Sequence, residues 1–91
     1  MALPDTVGRP VSILGAGVLG RRIAAVWIAG GYDVNVRDPS VEQREAAKQF
    51  VKEHLSEFST PQQLKAGNLR VFEDLEKAVA KAWLVVECET D

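Results

Sequence analysis

A glycine-rich segment near the start of the chain has the residue types and spacing of a phosphate-binding loop. It follows the pattern G-x-G-x-x-G and consists of Gly15, Ala16, Gly17, Val18, Leu19 and Gly20. In such a loop the first glycine permits a tight turn and the second lets the backbone approach a pyrophosphate. The third lets the following helix pack closely on the preceding strand. Because the start of that helix offers free N–H groups to an anion, the segment predicts a dinucleotide site.

A carboxylate, Asp38, stands at the end of the second predicted strand, where a bound dinucleotide places its adenosine ribose. It would accept hydrogen bonds from both ribose hydroxyls and repel a 2′-phosphate, so Asp38 predicts NAD rather than NADP. The adjacent Arg37 would partly offset this preference. In the alternative interpretation, the glycines form a packing turn and Asp38 caps the second helix, with no ligand involved.

The other polar candidates each have two interpretations. Arg21 and Arg22 lie one turn into the first helix, where they either contact phosphate or form a solvated face. His54 is either an acid–base group or, as we favour, a residue at the edge of a buried helix stripe. The sequence identifies no catalytic residue and no Cys/His cluster with zinc-site spacing.

The last residues of the chain follow a predicted strand and carry alternating charges at Glu87, Glu89 and Asp91. Ligands of open α/β sheets bind at this carboxyl edge, so a site is one interpretation and ordinary loop-end charges are the other. Cys88 lies among them. No motif pairs it with a histidine, so we interpret it as a small buried residue rather than a nucleophile.

Strands and helices alternate along the chain. Short apolar runs predict strands at 11–14, 32–37, 69–72 and 83–86, and helical spacing predicts helices at 16–29, 41–58 and 74–81. The order β-α-β-α-β-α-β requires parallel pairing with right-handed crossovers. The predicted fold class is therefore α/β, with a parallel sheet of about four strands and flanking helices. Residues 1–10 are expected to be a loose N-terminal lead-in.

Two patterns give detail to the predicted helices. Ser40 and Gln43 have the spacing of a capping box, which predicts that the second helix starts at Val41. In the first helix, apolar residues at helical spacing predict the buried face; they are Leu19, Ile23, Val26 and Trp27.

Composition excludes several classes of protein. The 91 residues allow one small domain, and 46% hydrophobic with 26% charged residues is ordinary for a globular chain. A net charge of −2 gives no basic excess for nucleic acid or an anionic membrane. No apolar stretch suits a membrane span, and the first residues lack the features of a signal peptide. The single cysteine, Cys88, fits the cytoplasm or another reducing intracellular compartment.

Two segments resemble the 3-hydroxyacyl-CoA dehydrogenases. The run from Val11 to Gly20 is similar to the amino terminus of that family, as is Asp38 followed by a long helix. The segment from Asp74 to Val79, leading into Leu84–Glu87, is similar to a later helix and strand. The resemblance covers nearly all of the chain after residue 10 and implies the first half of a dinucleotide-binding Rossmann domain, at residues 11–91, with NAD as cofactor.

The resemblance also implies roles near the end of the chain. The family pattern there is D-L-V-V-E-A-x-x-E, so Glu87 matches, Cys88 replaces an alanine and Asp91 falls where the family has glutamate. All three are expected at the cofactor. The family's catalytic serine, His–Glu pair and asparagine lie beyond these positions, so we expect no dehydrogenase activity from these 91 residues alone.

Two functions of different class follow. By the resemblance, the chain would be the NAD-binding segment of an enzyme that oxidises 3-hydroxyacyl-CoA to 3-oxoacyl-CoA in fatty acid metabolism. Alternatively, it is a truncated relative without dehydrogenase activity that acts as a dimeric binding module or with a repurposed site. The glycine loop also leaves another NAD-dependent class open, such as a 3-hydroxyacid or polyol dehydrogenase.

An unprotected strand edge predicts self-association. In the strand order 3-2-1-4, the strand from Trp83 to Cys88 lies at one edge of the sheet, and no later strand in the chain covers it. It is apolar and carries no proline or lysine to prevent pairing with another chain. We therefore expect a homodimer through this edge, in addition to NAD or a nucleotide fragment as ligand.

Overall fold

The computed structural model describes residues 8–58 and 65–88. The elements are β1 (Val11–Leu14), α1 (Val18–Ala29), β2 (Val34–Arg37), α2 (Val41–Phe58), β3 (Leu69–Phe72), α3 (Leu75–Val79) and β4 (Leu84–Glu87). All pairs are parallel, in the order β3-β2-β1-β4. The predicted α/β class, four strands and element order are confirmed. Residues 1–7 of the predicted lead-in lie outside the described part.

The sheet has one apolar face and one polar face. Val11 and Ile13 of β1 and Val34 and Val36 of β2 are fully buried on the apolar face. They pack with α1 and α2, whose buried contributions are mostly small; Ala24, Ala25, Ile28, Ala47 and Val51 belong to the same cluster. Small residues bring the helices close to the strands, which fixes where α1 begins relative to the end of β1.

The predicted buried face of α1 is wrong in part. Leu19 and Val26 are 55% and 53% exposed. The helix instead turns Gly20, Ala24 and Ile28 to the interior, at steps of one helical turn. These residues face the interior because α1 lies close to β1, and a helix packed so closely on a strand has room only for small residues at the point of contact.

Among the helices of the described residues, the short helix α3 is the one that contacts the polar face. Ser12 Oγ and Asn35 Nδ2 both donate to the Ala78 carbonyl of α3. Helix α3 begins where Asp74 accepts from the backbone N–H of Lys77 at 3.1 Å and ends at Val79, short of its predicted end. Strand β2 begins two residues later than predicted, because Tyr32 instead packs edge-on against Trp27.

Candidate functional site

The ends of three strands meet at the glycine loop. The N–H of Gly15 donates to the Arg37 carbonyl at 2.8 Å, and the N–H of Cys88 donates to the Leu14 carbonyl at 2.8 Å. These bonds carry the ladder one residue beyond β1 on both sides. The loop therefore sits at the carboxyl edge of the central strand, where the sequence places a dinucleotide site.

Close packing around the loop leaves no room for side chains at two of its glycines. Gly15 has φ of +118°, and a Cβ there would collide with the Cys88 carbonyl oxygen. A Cβ at Gly20 would collide with the Gly15 carbonyl oxygen. Gly20 thus fits directly beneath the turn at Gly15, and this contact holds the start of α1 against β1.

The start of α1 can accept an anion. Its N-cap is Gly17, which is extended, with φ −68° and ψ −168°, and no side chain caps the helix. There is no acidic residue in the first turn. The first N–H groups of α1 therefore face a position that is not opposed by a carboxylate on this helix. Val18 and Leu19 lie in that turn with exposed side chains, and Ala16 before it is buried.

Asp38 connects the glycine loop to the start of α2. Its Oδ2 accepts from the N–H of Ala16 at 3.0 Å, and its Oδ1 accepts from the N–H of Ser40 at 2.9 Å. Each carboxylate oxygen can accept more than one hydrogen bond, so Asp38 keeps capacity for two ribose hydroxyls. The ligand-free interpretation is correct in that Asp38 orders this turn, yet Ser40 and not Asp38 caps α2, through Oγ to the Gln43 N–H at 3.2 Å.

Arg37, next to Asp38, is bonded to the neighbouring strand connection. Its Nε donates to the Glu73 carbonyl at 3.0 Å, beyond the end of β3. The guanidinium is therefore engaged at the neighbouring strand. This contact removes part of the reason to expect that Arg37 offsets the preference for NAD.

Arg21 stabilises the glycine loop through hydrogen bonds to its carbonyls, a role that the sequence did not predict. Its Nε donates to the carbonyls of Ala16 and Gly17 at 3.1 and 3.2 Å, and Nη2 donates to Gln43 Oε1 at 2.7 Å. The residue is half-buried, so it is neither a freely solvated side chain nor one directed at an anion. Two loop carbonyls that would repel a phosphate are thereby neutralised by a cation.

Replacing Arg21 with alanine is expected to weaken NAD binding about tenfold, since a hydrogen bond to a charged group contributes about 1.5 kcal/mol. Titration calorimetry measures this change. The matched control is Arg22→Ala, which removes the same charge from a guanidinium lying 5.6 Å from the Phe50 ring centre. Equal losses of NAD affinity in the two variants would mean that the removed positive charge, and not the bonds to the loop carbonyls, causes the effect.

The remaining candidate site residues differ in burial and in their distance from the glycine loop. Cys88 is 3% exposed, and burial raises the pKa of its thiol, which keeps it in the unreactive protonated form. Glu87 is exposed at the end of β4. His54 stacks on Phe50 and contacts Glu57, and it lies about 20 Å along α2 from the start of that helix. Asp91 lies outside the described residues.

The described residues contain neither a cluster of metal-ligating side chains nor a membrane-spanning helix. No group of three or more potential metal-ligating side chains occurs within residues 8–58 and 65–88. No helix in the described part of the chain is long and apolar enough to cross a membrane.

The sequence model of the 3-hydroxyacyl-CoA dehydrogenase NAD-binding domain matches residues 10–91. The chain belongs to this family. The expected cofactor, NAD, is thereby confirmed for the domain. No curated protein matches the chain at a significant level.

Two solved structures show the same fold as this family member. FadB2 of M. tuberculosis is 24% identical, with a TM-score of 0.71, and the match covers 90% of this chain and 31% of FadB2. A diketoreductase, described as acting on dicarbonyl compounds, is 26% identical with a TM-score of 0.66; the match covers 89% of this chain and 31% of that enzyme. The chain therefore spans about a third of each of these proteins.

Proposed function

We propose that the chain binds NAD as part of a 3-hydroxyacyl-CoA dehydrogenase, with the pyrophosphate on the loop from Gly15 to Gly20 and the adenosine ribose on Asp38. The observation that carries this proposal is the family match over residues 10–91, together with a loop that Asp38 already holds through the N–H of Ala16. Glu87 and Cys88 would border the cofactor from the end of β4, and the family resemblance assigns Asp91 to the cofactor as well. All of the residues that this proposal assigns to the cofactor belong to the chain itself.

The complete reaction would be oxidation of a 3-hydroxyacyl-CoA to the 3-oxoacyl-CoA, a step of fatty acid metabolism. NAD supplies the hydride acceptor when bound. The residues of this chain hold the dinucleotide and orient it at the carboxyl edge of the sheet; base and acyl-CoA site would come from outside it. The single buried thiol, Cys88, supports a reducing intracellular compartment such as the cytoplasm.

Cofactor preference tests the proposal. Calorimetric titration is expected to show NAD and ADP-ribose binding more tightly than NADP, because the Asp38 carboxylate would face the 2′-phosphate of NADP. Equal or tighter binding of NADP would contradict the assignment of Asp38. Absence of binding by all three ligands would contradict the proposed function itself.

A second function, a dimeric binding module, is supported by the edge of β4. One side of this strand pairs with β1, and the described residues supply no partner for the other side. Val85 is 46% exposed, and β4 contains no proline or lysine. An uncovered apolar edge favours pairing with a second chain. In a two-fold dimer, antiparallel pairing of two β4 strands would extend one sheet across both chains.

Introducing a charge on this edge tests self-association. Val85→Lys is expected to shift a concentration-dependent dimer to monomer in a light-scattering dilution series, since lysine on an edge strand opposes pairing. Val41→Lys serves as control, because Val41 is similarly exposed, at 58%, and lies at the start of α2. A wild-type chain that stays monomeric at tens of micromolar would contradict self-association through the edge of β4.

A further inference from the structure

A cavity lies at the amino-terminal edge of the sheet, opposite the glycine loop. It has a volume of about 340 Å³ and opens on the polar face, between α3 and the strands β2 and β3. Its polar lining includes Asp33, Asn35, Asn68, Arg70, Lys77 and Lys81. Asp33 and Asn68 precede β2 and β3, whereas the glycine loop follows β1. The cavity reaches Phe72 at the end of β3, but its lining contains no residue of the glycine loop and not Asp38, so the two places are separate.

Positive charge is concentrated on this cavity. Arg70, Lys77 and Lys81 line it, and in the described part of the chain none of these three side chains makes an ion pair or a hydrogen bond. The one carboxylate of the lining, Asp33, accepts from the Asn68 N–H at 2.9 Å. The cavity thus carries three cations against one anion, in a chain whose net charge is −2. Clefts lined by one sign of charge concentrate counter-ions.

Backbone oxygens near the cavity are already bonded, so they do not oppose an anion. The Ala78 carbonyl accepts from Ser12 and from Asn35. The carbonyls of Lys81 and Ala82, just after α3, accept from Arg9 at 3.3 and 3.0 Å. These bonds leave the lysine ammonium groups and the Arg70 guanidinium as the free charged groups of the lining.

We propose that this cavity binds the dianionic phosphate group of a small phosphorylated molecule through Arg70, Lys77 and Lys81. The lining's excess of two positive charges matches a dianion. The planar guanidinium of Arg70 suits two phosphate oxygens at once, and the lysines add point charges. The volume exceeds that of a phosphate group, and Phe72 and Pro10 in the wall give an apolar surface for an organic substituent. This site is independent of the NAD site.

The test is a titration of the ¹⁵N-labelled chain with inorganic phosphate and with glycerol 2-phosphate, at constant ionic strength and with NAD present. We expect saturable shifts of the amide signals of Asn68, Arg70, Lys77 and Lys81 with both ligands. Tighter binding of the ester would support a phosphorylated molecule as ligand, and equal or weaker binding of the ester would overturn that assignment in favour of the free ion. Shifts confined to Gly15–Gly20, or no saturable shift, would overturn the proposal.

A charge-matched pair of variants completes the test. Lys77→Gln with Lys81→Gln is expected to weaken phosphate binding at least tenfold and to leave NAD affinity unchanged. Lys48→Gln with Lys52→Gln removes the same charge from the exposed side of α2 and is expected to leave phosphate affinity within twofold. Equal weakening by both pairs would overturn the proposal, because it would reduce the effect to net charge.

Discussion

Replacing Asp38 with alanine is expected to weaken NAD binding about 100-fold. The carboxylate would lose its hydrogen bonds to two ribose hydroxyls, and the N–H of Ala16 would lose its acceptor at 3.0 Å. Hydrogen bonds to a charged group contribute about 1.5–3 kcal/mol each, and a total of about 3 kcal/mol corresponds to two powers of ten in affinity. Titration calorimetry with NAD measures the loss.

Two further variants separate the causes. Asp38→Asn keeps an oxygen for the Ala16 N–H but removes the charge, so it is expected to lose less affinity and to discriminate less against NADP. Asp33→Ala removes a carboxylate at the opposite end of β2, where it bonds Asn68, and is expected to leave NAD affinity within twofold. A loss below threefold in Asp38→Ala would contradict the role of Asp38.

Replacing Gly20 with alanine is expected to lower the free energy of unfolding by about 2–3 kcal/mol, the upper part of the range of about 1–3 kcal/mol for a side chain forced into a filled interior. The new Cβ would collide with the Gly15 carbonyl oxygen. Relief requires α1 to move from β1, which also displaces the N–H groups that face the pyrophosphate. NAD binding is therefore expected to fall at least tenfold. Denaturant unfolding and calorimetry measure the two effects.

Gly30→Ala is the matched control for this glycine. Gly30 ends the same helix with φ of −78°, and a Cβ there would lie 3.4 Å from its nearest neighbour, the Trp27 carbonyl oxygen. We expect the free energy of unfolding to change by less than about 1 kcal/mol and NAD affinity to stay the same. Similar losses in Gly20→Ala and Gly30→Ala would show that the close contact of loop and helix is unimportant.

Local patterns predicted most of the fold because it consists of short, strongly marked elements. The β-branched run at Val11–Leu14 and the glycine after it mark a buried strand and its end, and the capping box at Ser40 marks the start of α2. Alternation of strands and helices then allows few topologies, and the strand order β3-β2-β1-β4 is confirmed. The family resemblance is also confirmed.

Contacts between distant residues could not be read from the same patterns. The bonds from Arg21 to loop carbonyls and to Gln43 depend on the angle between α1 and α2, which spacing along one helix does not give. The outward position of Leu19 has the same origin, because Gly20 rather than Leu19 sets how closely α1 meets β1. The cofactor roles of Glu87 and Cys88 stay predictions, as does that of Asp91.

The most direct test of dinucleotide binding on the glycine loop is an amide-resolved NMR titration of the chain with NAD. We expect saturable shifts at Gly15–Gly20, at the Asp38 and Ser40 amides, and at Cys88, whose N–H donates to the Leu14 carbonyl at the end of β1. His54, far along α2, is expected to stay unchanged. Saturable shifts confined to residues away from the carboxyl edge of the sheet, or none at millimolar NAD, would contradict the claim that this chain binds the dinucleotide on its glycine loop.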